Sequence, residues 1–539
     1  MRAPGGLVPA LGLLAALLAV GAGLDYGVKI YDEGLIAVGA LRVAQGELPV
    51  ADFWTLYPPG SYLLLGALFH VLGPQLLWLR ALHALFLVAI PGLAHRIAAA
   101  ATGRRCFARL AFAVTLVWVA GFRTTYGYPA VPATALCLGA VALLARGALV
   151  PARLAAAGGL LGAAALFRHD LGLYALAACA AGVALTARWG LAGPGPGLPA
   201  RLAWLAGAAA LPLLPGLFPL LRAAGPAALF DQLVAFPLQT YPRFRALPLP
   251  LPLVAFWLPA PGQGPAGSFF AGLADLLVYV PLLLAPAALA ASLALERRQA
   301  LAPAPGRAVV LLALLSLACA GPFRVRSLPD VQGWAMTTAA LPLAVCSLAG
   351  ARGLGPRAAP LARAALVAAL AAFTLLSLHA WGDLVARRYL GPTLALDAPF
   401  ARGIHLPGDQ SGYRQLVAEI RARTPEGACI HSGLVDHDRA YLNDVLLYFL
   451  TARCVPHPYQ DLHPGLVDRP AVQEEIARAL ERAAVPLVVL LDLVSEEPNE
   501  SSAAQPGPDR LDAWLAQHYE LHRDYGAYRL LRRRPARAP

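Results

Sequence analysis

Residues 7–381 form a succession of apolar runs separated by short polar segments. A helix needs about 20 apolar residues, with a range of roughly 17 to 25, to cross a ~30 Å hydrocarbon core. The pattern predicts spans at 7–23, 75–99, 106–122, 130–146, 152–168, 171–188, 202–222, 268–293, 307–323, 331–350 and 361–381. A further run, 60–73 (GSYLLLGALFHVLG), gives about 21 Å of helix. It follows Pro58-Pro59 and ends at Gly73-Pro74, and is read as a short helix at the membrane surface.

From about residue 384 the pattern becomes that of a soluble α/β domain. It predicts helices at 413–423, 440–452 and 473–483, strands at 428–433 and 486–492, a loop at 495–511 and a closing hairpin over 519–533. The fold class is thus a polytopic α-helical membrane protein (1–383, about 11 spans, surface helices in the first outer loop) with a small C-terminal α/β domain (384–539).

Composition agrees: 58% of the 539 residues are apolar and 14% charged, with mean hydropathy +0.60. That excludes an ordinary soluble enzyme and a disordered chain. The net charge of +12 divides unevenly, at +14 up to Asp383 and −2 beyond it. The surplus lies in the apolar part without aromatic-interleaved basic clusters, which argues against nucleic acid. With the N-terminus inside, Arg96, Arg104, Arg105, Arg146, Arg153, Arg188, Arg201, Arg297, Arg298, Arg307, Arg352, Arg357 and Arg363 all fall in inner loops, as the positive-inside rule requires. Counting 60–73 as a span would put these loops outside. The first run is read as an uncleaved signal anchor, and the C-terminal domain as lying outside, in the periplasm of a Gram-negative cell.

The carboxylates follow a different rule. Of eleven in the membrane part only Glu296 falls inside; Asp25, Asp32, Glu33, Glu47 and Asp52 share the first outer loop. Acidic residues contribute little to topology, so a functional site on the outer face is the expected cause. In YDEGLIAVGALRVAQGELPVADFWTLYPPG (31–60), Leu35, Ile36, Val38, Leu41 and Val43 predict a helix along the membrane surface. Asp32 and Glu33 sit at its dipole-favoured N-terminus, where Asp32 also has a plainer reading as an N-cap.

A carboxylate pair just after the first span, a Gly-x-x-Pro turn, Asp52, and Pro-Pro before a short apolar helix resemble the GT-C superfamily of membrane glycosyltransferases, in particular the bacterial protein O-mannosyltransferase and aminoarabinose transferase group. Arg80 in LGPQLLWLRAL fits the same pattern. The likeness covers roughly residues 5–190 by motif and the rest by hydropathy, and is specific for the superfamily but not for substrate.

The resemblance implies transfer of a sugar, with inversion, from a polyprenyl-phosphate donor to a lipid, glycan or protein acceptor on the outer face of the inner membrane. It implies Asp32 as base, Glu33 as alternative or orienting neighbour, and Asp52, Tyr57, His169 and Asp170 as acceptor-binding or supporting groups. A divalent metal is left open. Phosphate binding falls to arginines, which grip it through paired hydrogen bonds: Arg168 first, in LFRHDLG, then Arg123, Arg243, Arg245, Arg324, Arg326 and Arg80. For each of these, a side chain snorkelling at a span end is the bland alternative. The outer connection 223–267, rich in proline, aromatics and arginine, is expected to cover the donor or simply to pack on the surface.

His431, His437, His457 and His463 match no metal-ligand spacing. Cys429 and Cys454 lie where an oxidising compartment permits a disulfide. A transporter or flippase would favour mid-span charges and two similar halves, and neither is evident. A glycan polymerase would lack the early Asp-Glu loop.

Overall fold

The computed structural model describes residues 7–123, 126–251, 264–297, 303–328, 331–493, 502 and 505–535. All eleven apolar runs are helical: α1 (Leu7–Gly21), α4 (Leu76–Thr102), α5 (Arg105–Gly121), α6 (Ala130–Leu144), α7 (Pro151–Phe167), α8 (His169–Arg188), α9 (Leu198–Phe230), α11 and α12 (Pro265–Leu277, Tyr279–Arg297), α13 (Pro303–Val325), α14 (Trp334–Gly350) and α15 (Ala358–Tyr389). Seven helical stretches among the described residues are long and apolar enough to cross a membrane by length and composition; α1, α6 and α7 are shorter. The architecture is that of a polytopic helical membrane protein.

Small residues set the closest packing. A Cβ on Gly158 or Gly162 of α7 would stand 2.1 and 2.0 Å from the carbonyl oxygens of Leu205 and Ala209, so this Gly-x-x-x-Gly stripe lets α7 and α9 touch backbone to backbone. That contact positions the end of α7, where Arg168 lies.

The first outer loop contains α2 (Asp32–Ala44) and α3 (Gly60–Leu72). The expected helix is present, but it does not lie open on the membrane surface. Leu35, Ile36, Ala37, Val38 and Ala40 are buried in one core with Leu446, Leu447 and Phe449 of the C-terminal domain and Tyr62, Leu65 and Phe69 of α3. Gly34 permits this: a Cβ there would meet the Leu446 amide nitrogen at 2.5 Å, and Leu446 N–H donates to the Ile30 carbonyl at 2.9 Å. Each large apolar side chain so buried contributes about 1.5–3 kcal/mol, which holds the outer domain over the loop.

That domain carries a four-stranded sheet in the order β3-β4-β6-β5, built from β3 (His431–Leu434), β4 (Leu487–Leu491), β5 (Tyr519–Asp524) and β6 (Tyr528–Arg533). β3 and β4 are parallel, and α18 (Pro470–Arg482) lies between them in sequence; β5 and β6 form the expected hairpin. A two-stranded ribbon, β1 (Thr393–Ala395) with β2 (His405–Pro407), joins it to the bundle, where Gly27 N–H donates to the His405 carbonyl at 2.8 Å. Helix α16 (Ser411–Arg423) forms as expected, and Cys429 and Cys454 are disulfide-bonded.

Three expectations change. The helix at 440–452 shrinks to α17 (Leu446–Thr451), because Asn443 holds the preceding stretch in a non-helical path: its Nδ2 donates to the carbonyls of Ser432 and Gln460, and its Oδ1 accepts from Leu462 N–H. The 495–511 loop gives way to α19 (Arg510–His518) at its end; residues 494–501, 503 and 504 lie outside the described set. The 223–267 connection is not a loop over its first half. α9 kinks at Gly225 (φ 79°, ψ 164°), restarts with Pro226, and continues through a widened helical turn, Asp231–Thr240, into α10 (Tyr241–Arg245). Residues 252–263 of that connection lie outside the described set.

Candidate active site

The N-terminus of α2, the α7–α8 corner and the 231–245 helix converge on a cavity of about 530 Å³ at one end of the bundle. Its wall includes seven of the candidate residues, Asp32, Tyr57, Arg168, His169, Asp170, Arg245 and Arg326. The remainder is largely apolar, with Leu173, Leu233, Val234 and Leu238 among the lining residues. The 231–245 helix therefore walls the cavity rather than hanging over it as a loop.

Asp32 and Glu33 separate because successive helical residues are turned by about 100°. Asp32 lines the cavity, whereas Glu33 turns into the bundle and meets Arg80 through two hydrogen bonds, Nε to Oε1 at 2.7 Å and Nη2 to Oε2 at 2.9 Å. Both side chains are at most 1% exposed. Arg80 also donates to the Leu24 and Gly27 carbonyls at 2.7 Å each and lies over the Tyr126 ring, so the pair clamps the start of the first outer loop to α4.

Arg168 ends α7 in an extended conformation and caps the start of α8. Its Nε and Nη2 donate to the two carboxylate oxygens of Asp170 at 3.0 and 3.2 Å, and Nη1 donates to the Tyr128 hydroxyl at 2.6 Å. Asp170 is thereby an orienting partner of Arg168. Arg245 lies 5.2 Å over the Tyr441 ring, and its carbonyl accepts from Arg326 Nη1 at 3.1 Å. His169 Nδ1 and Gln332 Oε1 are buried lining atoms with no protein partner among the described residues. A polar ligand would complete them.

The other candidates stand apart from the cavity. Asp52 is exposed and accepts from Leu48 N–H at 2.7 Å, closing its own turn. Arg123 is buried against the Ala120 carbonyl and the Tyr126 hydroxyl. Arg243 and Arg324 are exposed and are not among the lining residues.

The one-sided distribution of carboxylates has a wider cause than the site alone. Asp25 pairs with Arg388, Glu33 with Arg80, Glu47 with Arg42 and Asp383 with Arg387. The first two pairs tie the segment after α1 to α15 and to α4, and among the described carboxylates of this part only Asp32 and Asp170 line the cavity.

The outer domain contributes directly, which the sequence did not reveal. Tyr441, Leu442 and His463 line the cavity, and the His463 ring sits among Trp54, Phe236 and Tyr241 with centroids 6.2, 5.3 and 5.5 Å away. Burial, with Arg245 nearby, drops His463 to about 3, so it is neutral. Tyr31, which precedes Asp32, donates its hydroxyl to Asp461 Oδ1 at 2.8 Å, and burial lifts the Asp461 carboxyl to about 7. Tyr31, Tyr128, Tyr174, Tyr241 and Tyr441 were not anticipated as lining residues; tyrosines at span ends are common enough in membrane proteins to carry no signal of a site.

The remaining histidines form part of the outer-domain core. His431 and His457 are 2.9 Å apart, Nδ1 to Nε2, and both are kept neutral by burial, while His437 pairs with Asp512 at 2.6 Å. Among the described residues no group of three or more His, Cys, Asp or Glu side chains is arranged to hold a metal ion. The donors present do not fit one, and no step below is routed through a metal.

No family model matches the chain, and no curated protein matches it by sequence. Among solved structures it is similar to ArnT from Cupriavidus metallidurans bound to undecaprenyl phosphate, at 13% identity over 97% of each chain with a TM-score of 0.51. The apo state of the same protein gives 13% identity, 97% of each chain and 0.48. The arabinofuranosyltransferase AftD from Mycobacteria gives 14% identity and 0.47, over 99% of this chain and 40% of AftD. The fold is thus similar to that of ArnT over nearly the whole chain.

Proposed function

We propose that this protein is an integral-membrane glycosyltransferase that moves a sugar, with inversion, from a polyprenyl-phosphate donor to an acceptor at the outer face of the inner membrane. The observation that carries the reading is the cavity itself, which places one carboxylate at a helix N-terminus, Asp32, in the same chamber as the guanidinium groups of Arg168, Arg245 and Arg326. The fold neighbour ArnT, solved with undecaprenyl phosphate, supports the donor class.

In this mechanism Asp32 takes the proton from the acceptor nucleophile as that atom attacks the anomeric carbon. The bond between that carbon and the phosphate oxygen breaks, and the electron pair leaves with the phosphate. Arginines aimed at the leaving group stabilise its growing charge, the larger effect in a water-poor chamber. Arg168, held in place by Asp170 and Tyr128, serves with Arg245 and Arg326 as phosphate ligand. His169, Gln332 and Tyr57 are placed to meet sugar hydroxyls, and the apolar wall suits a polyprenyl chain. Tyr441 and His463 approach from the outer domain and contact the acceptor side. Glu33, Arg80 and Arg123 act by holding the scaffold, and Asp52 and Arg243 lie outside the reaction.

The test is transfer from labelled polyprenyl-phosphate sugars in membranes containing the protein. Wild type transfers label and Asp32→Asn does not, at equal insertion and folding. Near-normal transfer by Asp32→Asn would remove that residue from the role of base. Absence of transfer by wild type from every polyprenyl-phosphate sugar tried would undo the donor assignment.

A further inference from the structure

The end of the bundle opposite the cavity holds three arginines that the proposed reaction does not use. Helices α6 and α8 both begin beside the cavity, after Tyr128 and at His169, and run away from it. The segments that follow them, 145–150 and 189–197, therefore lie at the far end. Arg307, in the first turns of α13, is 4% exposed and reaches both segments. Its Nη2 donates to the carbonyls of Gly147 (2.6 Å) and Ala145 (3.3 Å), and its Nη1 to those of Ala192 (3.2 Å) and Leu191 (3.4 Å). Arg153 donates to the carbonyls of Arg146 and Ala148, and Arg201, 6% exposed, to those of Gly193 (2.9 Å) and Pro196 (2.7 Å).

These carbonyls satisfy hydrogen bonds and, at the ends of α6 and α8, bring partial negative charge, but they supply no full counter-charge for three guanidinium groups. Arg153 and Arg201 lie within electrostatic reach of Arg307, and none of the three has a carboxylate partner among the described residues. Withdrawing an ion from water costs several kcal/mol unless a counter-charge accompanies it, and like charges held together add to that cost. Orientation in the membrane does not require such burial; Arg104, Arg105 and Arg188 serve the same topology while exposed. Donors also remain unused. Among the described residues Arg307 Nε is buried with no acceptor, and Arg201 Nη1 and Arg153 Nε and Nη2 have none.

We propose that Arg153, Arg201 and Arg307 form a phosphate-binding site at the inner end of the bundle, occupied by the headgroup of an anionic phospholipid or by free phosphate. Guanidinium groups suit phosphate through directed, charge-assisted hydrogen bonds, and basic pockets between helix ends on the cytoplasmic side suit anionic headgroups. The anion supplies the missing counter-charge and ties together the ends of α6 and α8 and the starts of α7, α9 and α13. The sidedness rests on the arginine distribution; the site itself is independent of the glycosyltransferase reading.

The experiment uses the full-length protein in nanodiscs of phosphatidylcholine alone, of phosphatidylcholine with phosphatidylglycerol, and of phosphatidylcholine in inorganic phosphate at ionic strength matched with chloride. The melting temperature is read in each, and retained phospholipid is counted by native mass spectrometry. Wild type melts several degrees higher in one or both phosphate-bearing arms, and the arm that responds identifies the source. Arg153→Gln, the least buried of the three, loses at least half of that rise, whereas the exposed control Arg188→Gln keeps it. No rise for wild type in either arm overturns the proposal whatever the variants do, and so does an equal rise in Arg153→Gln.

Discussion

The buried Glu33–Arg80 pair separates a scaffold role for Glu33 from a chemical one. Removing one partner of a buried pair costs about 3–5 kcal/mol, because the other charge stays behind uncompensated. In Glu33→Gln, Arg80 keeps its carbonyl acceptors on Leu24 and Gly27 but loses its carboxylate partner. The expected loss is near the lower end, about 3 kcal/mol. In Arg80→Gln a buried carboxylate remains and both carbonyls lose their donor, so the loss lies at about 5 kcal/mol. The double variant buries no net charge, and the cycle should return a favourable coupling of roughly 2–3 kcal/mol between the two sites. Thermal and denaturant unfolding in detergent measure the stabilities, and transfer is assayed per mole of folded protein. The expectation is a clear drop in stability for each single variant, a loss in the double of about 5–6 kcal/mol rather than the sum of about 8, and substantial transfer by whatever is folded. A Glu33→Gln protein that melts like wild type yet loses transfer as fully as Asp32→Asn would refute the scaffold argument and make Glu33 a catalytic residue.

Further outcomes follow from the same geometry. Arg168→Ala should weaken donor binding by about 10- to 100-fold, the value of one or two charge-assisted hydrogen bonds, as read from the KM for the polyprenyl-phosphate sugar; an unchanged KM would exclude Arg168 from the phosphate. Replacing Cys429 and Cys454 by serine should destabilise the outer domain by about 3 kcal/mol, the chain-entropy value for a loop of this length, and alkylation before and after reduction should give the mass shift of one disulfide; identical masses would exclude the bond. Burial raises the Asp461 carboxyl from 3.8 to about 7, so its contribution to stability is fully present below about pH 4 and is lost as pH rises through 7. Asp461→Asn should therefore flatten the fall in stability between those limits, and a pH–stability profile parallel to wild type would contradict the burial.

Local pattern carried much of the fold. The apolar runs set the helices, because only a helix satisfies its own backbone in lipid, and β5 with β6 was legible from alternation. Asn443 and Gly225 were not legible in the same way. One breaks an apparent helix through contacts with residues 11 to 19 positions away, and the other allows a helix to resume where prolines suggested a loop. At the site, Asp32 and the Arg168-His169-Asp170 corner were visible because helix termini and span ends gather unusual charges.

By itself, then, the sequence determined the apolar helices, the placement of arginines along them and the loop that holds the candidate base. Tertiary structure alone decided which of two adjacent carboxylates faces the cavity, since that depends on the rotation of α2 fixed by Gly34 against Leu446 and by Arg80 against Glu33. It also decided that Asp461 and His463 meet a loop more than 400 residues earlier in the chain, and that Tyr441 meets Arg245. Such meetings are made by the packing of an entire domain, and no local spacing encodes them.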